Sequence, residues 1–147
     1  MQLSQHFSLE ELTFSQVAAR TGIDNTPSDE VVANLTRLCN LLLEPARAML
    51  EVPVHVDSGY RSTVVNAAVG GARDSAHMSG RAADTVFLGI PLEEAFDKLR
   101  ASDLPFDQII FECRAWIHLA IAPEGVQPRR EALTATGHAG AWHYQPA

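Results

Sequence analysis

The stretch Ser75-Ala-His-Met-Ser-Gly-Arg-Ala-Ala-Asp84 constrains the fold more than any other part of the sequence. It places His77 and Asp84, two residue types that commonly bind zinc, on either side of Gly80. Gly80 suits a tight turn with positive φ, and the residues that follow, Arg81–Phe87, are typical of a strand. A ligand before the turn and a ligand on the strand can converge on one point. A solvated loop leading into an ordinary strand fits the same residues, and the spacing alone favours that simpler interpretation.

Two further strands are predicted later in the chain, and each carries one candidate for the same site. Residues Phe106–Glu112 and Trp116–Ala122 have the apolar and alternating patterns of strands, and the short link 113–115 is consistent with a hairpin. His118 lies within the second strand, and Glu112 ends the first. Taken singly, His118 fits a core histidine and Glu112 fits a surface carboxylate at a strand end.

The combination changes this interpretation. His77, Asp84 and His118 together make a set of two histidines and one carboxylate with no fourth protein ligand. That is the composition of a catalytic zinc site, in which water takes the open position. Glu112 is then a natural base for that water.

Three motifs, in the same order along the chain, resemble those of the M15 peptidases. This family includes D-Ala-D-Ala carboxypeptidases and dipeptidases and L-alanyl-D-glutamate endolysins, and the hedgehog signalling domain shares its fold. The resemblance runs over nearly the whole chain, from Phe7–Leu12 to about Ala122. It rests on the zinc motif Ser75-x-His77-x2-Gly80-x-Ala82-x-Asp84, the arginine motif Ser58-Gly59-Tyr60-Arg61-Ser62 with Asn66 downstream, and the third-ligand strand Trp116-Ile117-His118.

The resemblance implies a zinc-dependent metallopeptidase that hydrolyses amide bonds in peptidoglycan stem peptides. It implies that His77, Asp84 and His118 bind the zinc ion. Glu112 would take a proton from water and pass it to the leaving amine. Arg61 would stabilise the oxyanion or bind a substrate carboxylate, although a salt bridge at a turn would also account for it.

Three further residues are expected to contact the substrate: Ser75, Tyr60 and Trp116. Ser75 fits a turn residue equally well, and Trp116 fits ordinary packing equally well. The sequence departs from the family at Ala115, because many members have their acidic base three residues before the last histidine. Glu112 lies six residues before it, a spacing similar to that of hedgehog-type and phage-like members.

Two other functions remain open at this stage. The missing acid at Ala115 leaves room for a zinc-bearing structural or recognition module without turnover, for example a phage virion component. A thiol enzyme that uses Cys113 is a third class, but nothing around Cys113 indicates an activated thiol. Cys39 lies in an apolar helical run, and the two cysteines are expected to be free thiols.

Length and charge narrow the range of partners. The chain has 147 residues, the size of one domain, and we expect residues 1–147 to form one. Its net charge of −7 gives no basic surface for nucleic acid. No apolar run is long enough for a membrane span, and the first residues show no signal peptide. We expect a monomer whose partner is a peptidoglycan peptide.

The hydrophobic and capping patterns predict an α+β fold. An antiparallel sheet is expected to carry the zinc site, with the N-terminal helices packed on one face. A helix is predicted from Ser8 to Arg20, stopped by Gly22, and a second from a Thr26 cap to about Glu51, interrupted near Pro45. Further elements are expected at Pro53–Ser58 (strand, with His55 exposed), after Ser62 (helix to about Val69) and at Leu92–Ala101 (helix), with irregular chain from Pro123 onward.

Overall fold

The computed structural model describes residues 1–138 and 140–147, and over them the chain has the predicted α+β architecture. None of the helices in this described part has the length and apolar composition that a membrane crossing requires. Helices α1 to α6 span Leu9–Thr13, Gln16–Thr21, Asp29–Leu38, Glu44–Leu50, Thr63–Ala68 and Leu92–Arg100. Strands β1 to β6 span Val54–Ser58, Ala82–Phe87, Gln108–Glu112, Trp116–Ala120, Glu131–His138 and Ala141–Pro146.

The strands form one sheet in the order β1-β2-β4-β3-β5-β6. All neighbours are antiparallel except β3 and β5, which run parallel. Side chains alternate between the two faces of a strand, so each face collects every second residue. One face packs against helices α3, α4 and α6 in a single apolar core, to which the sheet contributes Ala83, Phe87, Ile109, Phe111, Ile117 and Leu119. The opposite face is therefore free to carry polar groups.

The first predicted helix is divided into two. Ser8 begins α1 with the predicted capping box, in which Ser8 and Glu11 bond each other's backbone N–H groups. Phe14 then takes an extended conformation, and the side chain of Ser15 caps α2. Gly22 ends α2 in the left-handed conformation, as predicted. The single helix Ser8–Arg20 is thus wrong, because a second N-cap lies within it.

The second long helix begins and bends differently from the prediction. Its N-cap is Ser28, which accepts a hydrogen bond from the backbone of Val31, and not Thr26. The predicted interruption near Pro45 is confirmed as a π-helical segment, Cys39–Leu43. There the N–H of Glu44 bonds the carbonyl of Cys39, five residues back. Pro45 has no N–H, so an ordinary α-helical turn could not be completed at this point.

The prediction of irregular chain from Pro123 onward is wrong. Strands β5 and β6 form a hairpin there, and β5 adds it to the sheet through its parallel pairing with β3. Most of β6 is exposed, and apart from its two alternating aromatic residues the hairpin lacks the apolar pattern that marks a strand in sequence. Gly137 and Gly140, both with positive φ, are the one clear signal of its turn.

Both cysteines are free thiols, as predicted. Cys39 is fully buried in the π-helical segment, and burial raises its pKa to about 12. Cys113 is partly exposed in the turn after β3, where its thiol donates to the carbonyl of Gly137 at 3.4 Å. Cys113 and Arg114 both have positive φ, so a tight link joins β3 to β4.

Candidate metal centre

His77 is held by a short 3₁₀ turn and by one backbone carbonyl. The turn, Ala76–Ser79, ends at Gly80 with φ 75°, which confirms the positive φ expected there. The side chain of His77 is buried, and its Nδ1 lies 2.7 Å from the carbonyl oxygen of Gly59. This bond requires a proton on Nδ1, which leaves Nε2 with a lone pair directed at Asp84, 3.2 Å away.

Only glycine fits at position 59. A Cβ atom there would lie 2.2 Å from the backbone oxygen of Leu12. The next residue, Tyr60, uses its N–H to bond that same oxygen at 2.7 Å. The N-terminal helix α1 therefore fixes the carbonyl that orients His77.

Asp84 and His118 are direct cross-strand partners on β2 and β4. Opposed residues of an antiparallel pair project to the same face, which here is the face away from the helical core. Asp84 Oδ1 lies 3.0 Å from Nδ1 of His118 and 3.2 Å from Nε2 of His77. The sheet register thus places one carboxylate oxygen between two imidazole nitrogens.

These three side chains fit a divalent cation. Their donor atoms all lie within 4.8 Å of one another. Zinc bonds of 2.0–2.1 Å in tetrahedral geometry separate neighbouring ligand atoms by about 3.3 Å, close to the two distances just given. Burial alone would raise the pKa of Asp84, but His77 and His118 lower it well below its usual range. Burial lowers the pKa of His77, so the imidazole stays neutral, the form that binds metals.

Arg61 lies beside this group and is fixed by the predicted asparagine. Its Nη1 donates to Oδ1 of Asn66 at 3.1 Å, and its Nη2 lies 3.5 Å from Oδ2 of Asp84. Asn66 is buried and also donates to the carbonyl of Ala72. Burial lowers the pKa of Arg61, opposed by the charges of Asp84 and Glu112. The ion pair expected in the salt-bridge interpretation is present, and the same guanidinium lies next to the candidate site.

Glu112 ends β3 on the same face as His118. Its Oε1 lies 3.9 Å from Nδ1 of His118, so it adjoins the donor group without belonging to it. Burial, together with the nearby Asp84 carboxylate, raises the pKa of Glu112 to about 7, against the opposing effect of His118 and Arg61. A carboxylate with this pKa can both accept and donate a proton near neutral pH.

The three expected substrate contacts are not all brought to the site. Ser75 and Trp116 line the cleft that contains the donor group. The hydroxyl of Ser75 also accepts from the backbone N–H of His77, so its turn role is present. Tyr60 is not among the described residues that line the cleft, because it packs, partly buried, against the helical core. The geometry therefore gives no support to Tyr60 as a substrate-binding residue.

The cleft has a volume of about 1320 Å³, larger than the 300–1,000 Å³ typical of small-molecule sites. One wall comes from the loop 70–77 and from the link between α1 and α2, where Phe14 is exposed. The opposite wall includes Trp142 and Tyr144 of β6, which the sequence analysis missed. Their alternation, aromatic-polar-aromatic at 142–144, is the signal that could have indicated a strand with one aromatic face.

Comparison with known proteins gives one clear match. The family model described as Peptidase M15 matches residues 5–120. That range contains all the donor residues, Arg61 and Glu112, and it ends before the β5–β6 hairpin. A comparison with curated proteins finds no match. Since the family model covers most of the chain and includes every donor residue, this protein belongs to the M15 peptidase family.

Proposed function

We propose that this protein is a zinc-dependent peptidase that hydrolyses amide bonds in peptidoglycan stem peptides. The observation that carries the proposal is the convergence of His77, Asp84 and His118 at the cleft, with Glu112 alongside them, in a chain of the M15 family. M15 peptidases are zinc-dependent, and the donor set here has the composition of a catalytic zinc site.

The three donor residues would hold the ion in a fixed frame. Asp84 and His118 lie on central strands of the sheet, and His77 is fixed by the carbonyl of Gly59. A zinc ion bound there would polarise a substrate carbonyl and lower the pKa of water from 15.7 to about 7. The remaining contributions to catalysis come from the side chains around the donor group.

Glu112 would act as the general base and then as the general acid. It would take a proton from the attacking water and deliver it to the nitrogen of the leaving amine. Its position supports this role, because it faces the cleft next to His118 without taking part in the donor group. Ala115, at the position where many family members have their acid, cannot exchange a proton.

Arg61 would bind an oxygen atom of the substrate. Its guanidinium lines the cleft, and its Nε is buried without a hydrogen-bond partner among the described residues. The hydrogen bond from Arg61 to Asn66 fixes the guanidinium in place. This limits the conformational entropy that Arg61 loses when a substrate binds. A planar fork of N–H donors suits either the oxyanion of the tetrahedral species or a terminal carboxylate.

The substrate class is supported by the cleft and by the family motifs. A cleft of about 1320 Å³, larger than a typical small-molecule site, suits a peptide more than a compact molecule. Peptides of the cell wall are the substrates of the D-Ala-D-Ala carboxypeptidases and L-alanyl-D-glutamate endolysins whose motifs this sequence resembles. The carboxypeptidase and endopeptidase types differ in whether Arg61 meets a chain terminus or an internal carbonyl.

Digestion of purified peptidoglycan, followed by mass spectrometry of the fragments, tests the proposal and identifies the cleaved bond. We expect new amine and carboxyl ends within the stem peptides, and loss of this activity after treatment with a metal chelator. Re-addition of zinc should restore it. Full zinc content without any cleaved fragment would contradict the proposal and favour a structural or recognition module.

A further inference from the structure

The β5–β6 hairpin forms a wall of the cleft although it lies beyond the segment that the family model matches. The match ends at residue 120, and the hairpin spans Glu131–His138 and Ala141–Pro146. Its residues that line the cleft are Leu133, Gly137, His138, Gly140, Trp142 and Tyr144. The chain therefore completes its candidate active site with residues that the family motifs do not include.

The sheet register places Tyr144 in the same row as Glu112. Glu112 pairs with Ala135 on β5, and Ala135 pairs with Tyr144 on β6. Residues in such a row project to the same face of the sheet. Neighbouring strands lie about 4.8 Å apart, so the Cα atoms of Glu112 and Tyr144 are separated by about 10 Å. The residue between them is a buried alanine, whose methyl group leaves the space above it open to the longer side chains.

A second contact holds the hairpin against the rest of the site. The rings of Trp142 and Trp116 meet edge to face, with centroids 6.2 Å apart. Trp142 pairs with Gly137, and a Cβ atom on Gly137 would lie 2.2 Å from the backbone oxygen of Ala141. This tight turn and the tryptophan pair together fix the position of β6 beside the cleft.

Tyr144 is a hydrogen-bond donor without a partner. The residue is 50% exposed, and its hydroxyl makes no hydrogen bond within residues 1–138 and 140–147. Burial of the ring, with the nearby carboxylates of Glu112 and Asp84, raises the pKa of the phenol. The hydroxyl therefore keeps its proton at neutral pH and remains able to donate.

Arg61 and Tyr144 lie on opposite sides of the donor group. Arg61 follows β1, at one edge of the sheet, and Tyr144 belongs to β6, at the other edge. Asp84, His118 and Glu112 lie on the strands between them. A peptide laid across the strands would meet an N–H donor at one side of the cleaved bond and an O–H donor at the other.

We propose that Tyr144 is a further substrate-binding residue, whose hydroxyl donates a hydrogen bond to a carbonyl or carboxylate oxygen of the peptide on the side of the cleaved bond opposite Arg61. This assignment rests on the proposed peptidase function. The aromatic ring lines the cleft wall together with Trp142, and the hydroxyl provides the directional contact.

The test compares Tyr144→Phe, Tyr144→Ala and the control His143→Ala. His143 is adjacent on β6 but pairs with Thr136 on the other face, so its loss should change neither binding nor cleavage. Hydrolysis of a purified muropeptide gives kcat and KM, and zinc content is measured in the same samples. Binding of the intact muropeptide is measured by calorimetry in a Glu112→Gln background, in which turnover is removed.

We expect Tyr144→Phe to keep its zinc and its melting temperature and to bind the muropeptide about 5- to 10-fold more weakly, the effect of one lost hydrogen bond. Equal affinity and equal kcat/KM for Tyr144→Phe and the unsubstituted chain would overturn the proposal. A loss seen only in Tyr144→Ala would also overturn it, since the ring alone would then account for the effect. If the muropeptide binds but is not cleaved by the unsubstituted chain, the peptidase function fails while the affinities still decide the role of Tyr144. If it neither binds nor is cleaved, both proposals fail.

Discussion

The carboxylate of Glu112 lies 3.9 Å from Nδ1 of His118, on the neighbouring strand of the same hairpin. The sheet register produces this proximity, because Glu112 pairs with Trp116 and both project to the cleft face. This carboxylate lies six residues before the histidine, whereas many family members have their acid three residues before it. A tight turn with two left-handed residues brings this carboxylate back beside His118.

Replacing Glu112 by Gln should remove most turnover and leave the metal in place. The amide keeps the shape of the carboxylate but cannot accept a proton, and general-base contributions are about 10²–10⁴-fold. The hydrolysis rate of a muropeptide and the zinc content of the same sample check this. A near-normal rate with full zinc would mean that another group is the base.

Replacing His77 or His118 by Ala should abolish zinc binding. Each removes one of three donors, and two ligands rarely hold the ion at neutral pH. The matched control is His55→Ala, because His55 is on β1 with its side chain 63% exposed and outside the donor group. Metal analysis after purification should find zinc in the control alone. Full occupancy in both His77→Ala and His118→Ala would contradict the ligand assignment.

Replacing Gly59 by Ala should weaken both the fold and the metal site. The new Cβ would overlap the backbone oxygen of Leu12, and relief of the overlap must move the carbonyl that orients His77. We expect a loss of about 1–3 kcal/mol in the free energy of unfolding, typical of overpacking, and weaker zinc binding. Gly22→Ala is the control, since a Cβ there meets nothing within 4 Å and only its positive φ is unfavourable. Denaturant unfolding and zinc titration of both variants separate the two effects, and unchanged zinc affinity in Gly59→Ala would refute the orienting role.

Only one of the two cysteines should react with an alkylating reagent in the folded protein. Burial raises the pKa of Cys39 to about 12 and shields its sulfur, whereas Cys113 is partly exposed. Mass spectrometry should find one label at pH 8 under native conditions and two after denaturation. Cys113→Ser should take up none until it unfolds. Rapid labelling of Cys39 in the native state would show that the π-helical segment opens readily.

Acid should weaken the contact between Asp107 and Arg129. Burial raises the pKa of Asp107, but hydrogen bonds from the backbone and guanidinium of Arg129 outweigh this and lower it below its usual value. Because the pKa of Asp107 is lower in the folded chain than in the unfolded chain, the ionised carboxylate stabilises the fold at pH values above the unfolded-state pKa of about 4. This stabilisation is lost as the pH falls through the folded-state pKa. Asp107→Asn should therefore be less stable than the unsubstituted chain at pH 7, by about 0.5–1.5 kcal/mol. The difference, measured by urea unfolding, should shrink below pH 4; a constant difference would exclude this ionisation as its cause.

The candidate site was largely predictable from sequence because its residues lie at the ends or centres of regular elements. Asp84 and His118 fall on strands with clear patterns, and the spacing between Glu112 and His118 fixes a short turn. The role of Gly59 was not predictable, since it depends on the backbone of Leu12, which is distant in sequence. Local patterns carry no information about such a contact.

The predictions that failed concern features that tertiary contacts decide and local sequence patterns do not contain. The break at Phe14–Ser15 and the cap at Ser28 depend on which of several neighbouring capping residues the tertiary structure selects. The β5–β6 hairpin is stabilised by its pairing with β3 and not by an apolar face of its own. Hydrophobic periodicity identifies helices and strands that bury one face. A strand that forms an exposed cleft wall is therefore not detected by it.

The order of the strands also determines how the donor group can loosen. Asp84 and His118 lie on β2 and β4, each hydrogen-bonded to strands on both sides, so their backbone cannot open without disrupting the sheet. His77 instead belongs to a four-residue 3₁₀ turn outside the sheet, bonded to the rest of the chain only at single points such as Asn34, Gly59 and Arg61. The local opening that costs the least free energy will therefore move His77 away from Asp84 and His118 first. Amide hydrogen exchange will be faster at residues 76–79 than on β2 and β4. Two of the donor residues therefore depend on the stability of the whole sheet, whereas the third depends on a short turn.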